Sequence, residues 1–203
     1  MSTAVGRSAD CYGAGDRGLM LLSQRIRGWL LTPMVAALAR AGVSADALTA
    51  LSLIAGLAFC PALAIHPLLA LGFLALHMAL DGLDGPLARH TGTASRRGSF
   101  ADTVADQVVV IATTLSLVHA GLVAAVPGVL YLATYTVVIV FSVVRNALSV
   151  PYSWLVRPRL FVYALIPIEL YVQPGLLGPA LWVFIGLLGW KAVSGFSSIR
   201  RRL

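Results

Sequence analysis

The stretch DGLDGPLARHTGTASRRGSFADTVADQ, residues 81–107, decides how the chain is read. It holds Asp81, Asp84, Asp102 and Asp106, half of the eight acidic residues in the protein. Its flanks are strongly apolar, LLALGFLALHMAL (68–80) before and VVVIATTLSLV (108–118) after. An ionised carboxylate near a bilayer centre costs about 2.5–3.5 kcal/mol on insertion scales. Four clustered negative charges also repel one another. Bound divalent cations would relieve both penalties.

The spacing supports this. Asp81 and Asp84 stand i,i+3, and Asp102 and Asp106 stand i,i+4. Either spacing places two side chains on one helix face, with Cβ atoms about 5–6 Å apart. If the two helices are antiparallel neighbours joined by a short loop, the pairs face each other across one interface. Oxygen-only ligation suits Mg²⁺ or Mn²⁺. Four carboxylates are enough for two ions about 3.5–4 Å apart. A single intramembrane Asp can be a helix–helix hydrogen bond, but four at matched spacing ask for more. An ion or proton pathway uses the same residue type and stays open at this point as the rival reading, a divalent-cation transporter.

Two small residues and an arginine fit a phosphate ligand beside the carboxylates. Gly85 lies inside a helix, at about 1 kcal/mol relative to Ala, which often marks close approach by a ligand or backbone. Ala88 is small and near the same face. Arg89, at the helix end, can fork onto phosphate oxygens. Gly98 opens the next helix, near backbone N–H groups able to face an anion.

Composition places this stretch in a membrane. The 203 residues are 59% hydrophobic and 11% charged, with mean hydropathy +0.87; a soluble domain carries about 25% charged residues. The net charge of +7 is almost all arginine. In a soluble protein it would point to nucleic acid; here arginines at helix ends facing anionic lipid account for it, and no nucleic-acid partner is expected. Cys11 and Cys60 lie in a polar tail and an apolar run, so no disulfide is expected. No basic segment leads directly into an apolar core at the N-terminus, so no signal peptide is expected.

Residues 1–16 read as a flexible tail. Residues 17–41 read as an amphipathic interfacial helix, with Arg17, Arg25 and Arg27 polar, Leu21, Leu22, Ile26, Trp29 and Leu30 apolar, and a break at Pro33. Gly42-Val43-Ser44 ends that helix and starts the next, with Ser44 as N-cap. Residues 42–203 form one membrane domain of six spans, near 46–65, 68–90, 98–119, 127–148, 152–172 and 177–197. Turns fall at His66-Pro67, 91–97, Gly121 to Pro127, Val150-Pro151 and Gln173-Pro174-Gly175. The fold class is therefore an all-α integral membrane protein, six transmembrane helices preceded by an interfacial helix. With the N-terminus cytoplasmic, the outer turns carry no Lys or Arg. Arg40, Arg89, Arg96, Arg97, Arg145, Arg157, Arg159 and Arg200 to Arg202 then lie inside, so both termini are expected in the cytoplasm. The fifth span is the weakest, with Arg157-Pro158-Arg159 at its start and Glu169 towards its outer end.

The pattern Asp81-x2-Asp84-Gly85-x2-Ala88-Arg89-x8-Gly98-x3-Asp102-x3-Asp106 resembles the signature of the CDP-alcohol phosphotransferases at every specified position. At a few per cent per residue type, eight chance matches are on the order of one in ten billion per starting position. The resemblance implies a homodimeric enzyme of the cytoplasmic membrane with its active site facing the cytoplasm. Such an enzyme moves a substituted phosphate from a CDP-alcohol, usually CDP-diacylglycerol, to a small hydroxyl acceptor and releases CMP. Carried over by position, Asp81, Asp84, Asp102 and Asp106 are metal ligands for two ions, and Asp106 also takes the acceptor's proton. Asp84, Gly85, Ala88, Arg89 and Gly98 form the CDP-binding surface. Many relatives open the first span with Pro-Asp/Asn-x-x-Thr, also near the nucleotide. Here Ala45 replaces the proline, while Asp46 and Thr49 fit. Arg145, Arg157, Arg159 and Lys191 are the candidates for binding a phosphorylated acceptor, an inositol phosphate or glycerol phosphate. A different CDP-alcohol in a specialised pathway is the alternative within the enzyme class. His77, one turn before Asp81, is a possible supporting residue.

Overall fold

The computed structural model describes residues 31–148 and 157–201. The expected tail (1–16), the amphipathic segment up to Leu30 and the turn at Val150-Pro151 lie outside the described residues. Every described element is an α-helix: α1 (Leu31–Arg40), α2 (Ala45–Ile65), α3 (Pro67–His90), α4 (Arg96–His119), α5 (Ala125–Ala147), α6 (Pro158–Tyr171) and α7 (Leu177–Arg200). Five helices, α2, α3, α4, α5 and α7, are long and apolar enough to cross a membrane. The 14 residues of α6 fall within the expected fifth span, whose start at 152 lies outside the described residues. Pro33 does not break the chain as expected. The backbone is helical through Pro33, from Leu31 to Arg40.

The turns follow from local chemistry. Gly42 takes a positive φ of 72°, and the Val43 N–H donates to the Leu38 carbonyl at 3.0 Å. This left-handed helix ending is open to glycine without Cβ strain. Ser44 then caps α2, its hydroxyl accepting from the Ala47 N–H at 3.1 Å. Between α2 and α3 the turn is a single residue. His66 is extended and its Nδ1 accepts from the Leu68 N–H at 3.2 Å, while Pro67 starts α3. Ser95 caps α4 through the Gly98 N–H at 3.0 Å.

Helix packing departs from expectation at one place. α3 and α4 approach each other little along their length; α2 packs extensively on α3 and also on α4. Lipid tails are as apolar as leucine, and close approach of helices in a membrane relies on small residues. Gly56 on α2 supplies the approach: a Cβ there would sit 2.5 Å from Val109 Cγ2 on α4. Gly195 on α7 does the same against Phe141 on α5. The main core joins Phe59, Val109, Tyr131, Val162, Ile166 and Leu188 from α2 and α4 to α7. A second cluster, Val35, Leu48, Leu83 and Leu87, fastens α1 onto the start of α2 and the end of α3. The outward-facing leucines, valines and tryptophans (Trp190 is 73% exposed) form a surface suited to lipid.

Two buried polar groups are matched inside the bundle. His77 Nδ1 lies 2.8 Å from Ser52 Oγ and 3.0 Å from the Ser52 carbonyl oxygen, joining α3 to α2. Its ring meets Tyr163 of α6 edge-on at 6.0 Å. Glu169, which reads as a blemish in an apolar span, is buried and accepts from the N–H groups of Gly175 (2.6 Å) and Leu177 (2.8 Å). Its carboxylate satisfies the donors at the start of α7, where negative charge is favoured by the helix dipole. Glu169→Ala should therefore destabilise the protein by about 1–3 kcal/mol, and Glu169→Gln by less, because one acceptor remains. Thermal unfolding in detergent checks this; an unshifted midpoint for the alanine variant would show that the cap is idle. Gly56→Ala should cost about 1–3 kcal/mol by forcing α2 away from Val109, read by the same melt.

Candidate active site

The last turns of α3 and the first turns of α4 bring carboxylates towards a common point. Because the two helices approach each other little along their length, the aspartates meet across a gap that their own side chains bridge. Oxygens of Asp81, Asp102 and Asp106 lie within 4.8 Å of one another. Asp84, expected as the fourth member, lies beside Asp81 and Asp102 and accepts from Thr49 Oγ1 of α2 at 2.7 Å. The spacing thus brings three aspartates into one group, with Asp84 beside it and also held by a threonine 35 positions away. Three convergent carboxylates form a hard, oxygen-only donor set, the kind that suits Mg²⁺ or Mn²⁺.

The countercharge in this cluster is Arg159, from the first turn of α6. It is 2% exposed. Its Nη2 donates to Asp81 Oδ2 at 3.1 Å, and its Nη1 is ion-paired with Asp106 Oδ1. One guanidinium fork therefore links carboxylates from two helices, the bidentate use for which arginine is suited and lysine is not. In sequence Arg159 reads as one of several inner-face arginines. Its place against Asp81, 78 positions earlier, has no local signal beyond the Pro158 that starts α6.

A cavity of about 1130 Å³ lies beside the cluster. Its walls include Val35 of α1; Asp46 and Thr49 of α2; Asp81, Asp84, Gly85, Ala88 and Arg89 of α3; Gly98 and Asp102 of α4; and Arg157. All the residues expected on a nucleotide surface thus border one space, including Asp46 and Thr49 despite Ala45. Two expectations about the glycines change in detail. A Cβ on Gly85 would sit 3.3 Å from Arg89 Nη1, so Gly85 leaves room for the Arg89 side chain folded back along α3. The N–H of Gly98 is already held by Ser95, so it is not a spare donor for an anion. A Cβ on Gly98 would lie 3.8 Å from Asp46 Oδ1, which marks how closely α2 and α4 meet at this rim.

The residues named for an acceptor divide. Arg157 borders the cavity and is exposed, and Arg159 lies in the carboxylate cluster. Arg145, in the last turn of α5, and Lys191, within α7, are not among the residues lining the cavity. His77 is held by Ser52, which makes it a link between helices beneath the site.

Known proteins resemble this chain in sequence and fold. An archaetidylinositol phosphate synthase of Aeropyrum pernix is 36% identical over 124 residues, which cover 60% of this chain and 57% of that protein. The chain thus spans little more than half of that relative's length. In three dimensions it is similar to crystal structures of a phosphatidylinositol phosphate synthase of Mycobacterium tuberculosis. One, in complex with manganese and citrate, superposes with a TM-score of 0.68 at 20% identity, covering 83% of this chain and 88% of that one. The other, with CDP-DAG bound, gives 0.69 at 21%, covering 86% and 94%. At those identities the likeness establishes the fold. The sequence model described as CDP-alcohol phosphatidyltransferase matches residues 42–193, from the turn before α2 into α7 and across all four aspartates. With a match over that much of its length, the chain belongs to the CDP-alcohol phosphatidyltransferase family.

Proposed function

We propose that the protein is a metal-dependent membrane transferase that moves a phosphatidyl group from CDP-diacylglycerol to a hydroxyl of an inositol phosphate, releasing CMP. The observation that carries this reading is the convergence of Asp81, Asp102 and Asp106 within 4.8 Å at the edge of a cavity walled by the remaining signature residues. The relatives named above, synthases of inositol-phosphate lipids, favour that acceptor over glycerol phosphate.

Asp81, Asp102 and Asp106, with Asp84 beside them, are the residues that would hold Mg²⁺ or Mn²⁺, two ions in all. The donor set is oxygen-only, and the cluster already attracts a cation in Arg159. Bound divalent cations would supply charge neutralisation of the diphosphate and of the departing CMP. Asp106 takes the proton of the acceptor hydroxyl as the new O–P bond forms and the bond to CMP breaks. Thr49 fixes the Asp84 carboxylate, and Asp46, Gly85, Ala88, Arg89 and Gly98 border the nucleotide. Arg89 is placed to fork onto phosphate oxygens. Arg157 offers its charge to the acceptor phosphate at the cavity wall, with Arg159, Arg145 and Lys191 as further cations towards that end. The site sits at helix ends because CDP is water-soluble while diacylglycerol is not.

Around this centre the chain completes six spans, with α6 as the core of the fifth, and the interfacial helix 17–41 ends in α1. The membrane domain runs over 42–203. Both termini and the site face the cytoplasm of a cytoplasmic membrane, because the arginines gather at that end of the helices. The working unit is a homodimer, as the family resemblance implies.

Purified protein in detergent should release CMP from CDP-diacylglycerol with inositol phosphate, with Mg²⁺ or Mn²⁺ present and not with EDTA. Asp106→Asn should lower the rate at least about a hundredfold, the usual contribution of a positioned base. Release only with another acceptor would replace inositol phosphate. Release only from another CDP-alcohol would overturn the donor, and no release from any CDP-alcohol would overturn the reading. Thr49→Val should raise KM for the CDP-alcohol about tenfold or more by unfastening Asp84, since a lost hydrogen bond to a charged group is worth about 1.5–3 kcal/mol. An unchanged KM would remove Thr49 from the nucleotide site.

A further inference from the structure

The carboxylate cluster already holds a cation supplied by the chain. Arg159 is almost fully buried, and its fork reaches Asp81 Oδ2 on α3 and Asp106 Oδ1 on α4. Both carboxylates belong to the group that converges within 4.8 Å. A divalent cation shared by those aspartates would sit beside the guanidinium that already holds one oxygen of Asp81 and one of Asp106, and the two like charges repel at such range. Holding these half-buried carboxylates ionised without any cation is also unfavourable, since a desolvated carboxylate needs a partner. Arg157, two residues earlier and exposed, carries the same charge without touching the aspartates through any bond described above.

We propose that Arg159 is the internal counter-ion of the metal-free site. It competes with divalent cations for Asp81 and Asp106, and it gives up at least one of these carboxylates when metal binds. This rests on the reading that the aspartates hold metal. Arg159 is then a positioning residue with two consequences. It keeps the empty cluster together between turnovers, and it sets the metal affinity below what the carboxylates alone would give. A guanidinium released in this way stays beside the metal face, where a phosphate oxygen is the available new partner.

The test is Mn²⁺ binding to the purified protein in detergent, read from the electron paramagnetic resonance signal of free Mn²⁺. Wild type, Arg159→Gln and Arg157→Gln are compared, with thermal melts in EDTA and in Mn²⁺. Arg159→Gln should bind Mn²⁺ about tenfold tighter or more, within the usual range of coupling between two sites. It should melt lower than wild type in EDTA and recover in Mn²⁺. Arg157→Gln should change the affinity less than about threefold, because an exposed charge is screened. Structural damage would weaken binding, so a gain separates competition from misfolding. If Arg159→Gln does not fold, Arg159→Lys serves: its single point charge cannot fork, and it should bind Mn²⁺ several-fold tighter than wild type. Binding no tighter in the Arg159 variant, or an equal gain in Arg157→Gln, overturns the proposal while leaving the metal site standing. No Mn²⁺ binding by wild type or any variant overturns the metal reading itself, and this proposal with it.

Discussion

Carboxylates buried in an apolar bundle must be neutralised, and the arrangement of this protein depends on how that is done. Asp81, Asp102 and Asp106 converge from two helices, and the guanidinium of Arg159 enters from a third. In low dielectric such a group is strongly destabilising when unpaired and well held when each oxygen has a partner. The position of α6 is therefore tied to the site. Arg159 fixes the start of that helix against α3 and α4, and Glu169 near its other end fixes the start of α7. A helix of only 14 described residues is anchored at both ends by charge.

The second constraint is spatial. α2 packs on both α3 and α4, held close to α4 by the absence of a side chain at Gly56. The gap this leaves at the end of the bundle is the cavity, and α2 contributes Asp46 and Thr49 to its wall. Helix packing and site geometry are thus one feature. The same helix also supplies the hydroxyl that holds Asp84 at the edge of the cluster. α1 closes the arrangement from the other side, through Val35 against Leu48, Leu83 and Leu87.

Polar residues inside the bundle divide by what satisfies them. Ser52 and His77 pair with each other, Gln107 donates to Thr136 at 2.8 Å, and Glu169 caps a helix. These bind helices to one another and ask for no ligand. The aspartate cluster differs because one guanidinium faces three carboxylates, which leaves negative charge in excess. That excess suits a divalent cation.

The sequence by itself determined the membrane class, the helix boundaries and the chemical type of the site. The helix cap at Ser44, the glycine endings and the i,i+3 and i,i+4 aspartates are local features, written within a few residues and governed by backbone hydrogen bonding and helical period. Only the tertiary structure decided which aspartates meet and what opposes them. Thr49 finds Asp84 across 35 positions and Arg159 finds Asp81 across 78. Those pairings depend on α2 packing on both α3 and α4. That packing comes from side-chain volumes at the helix contacts, Gly56 against Val109 above all, and no spacing within one helix encodes it.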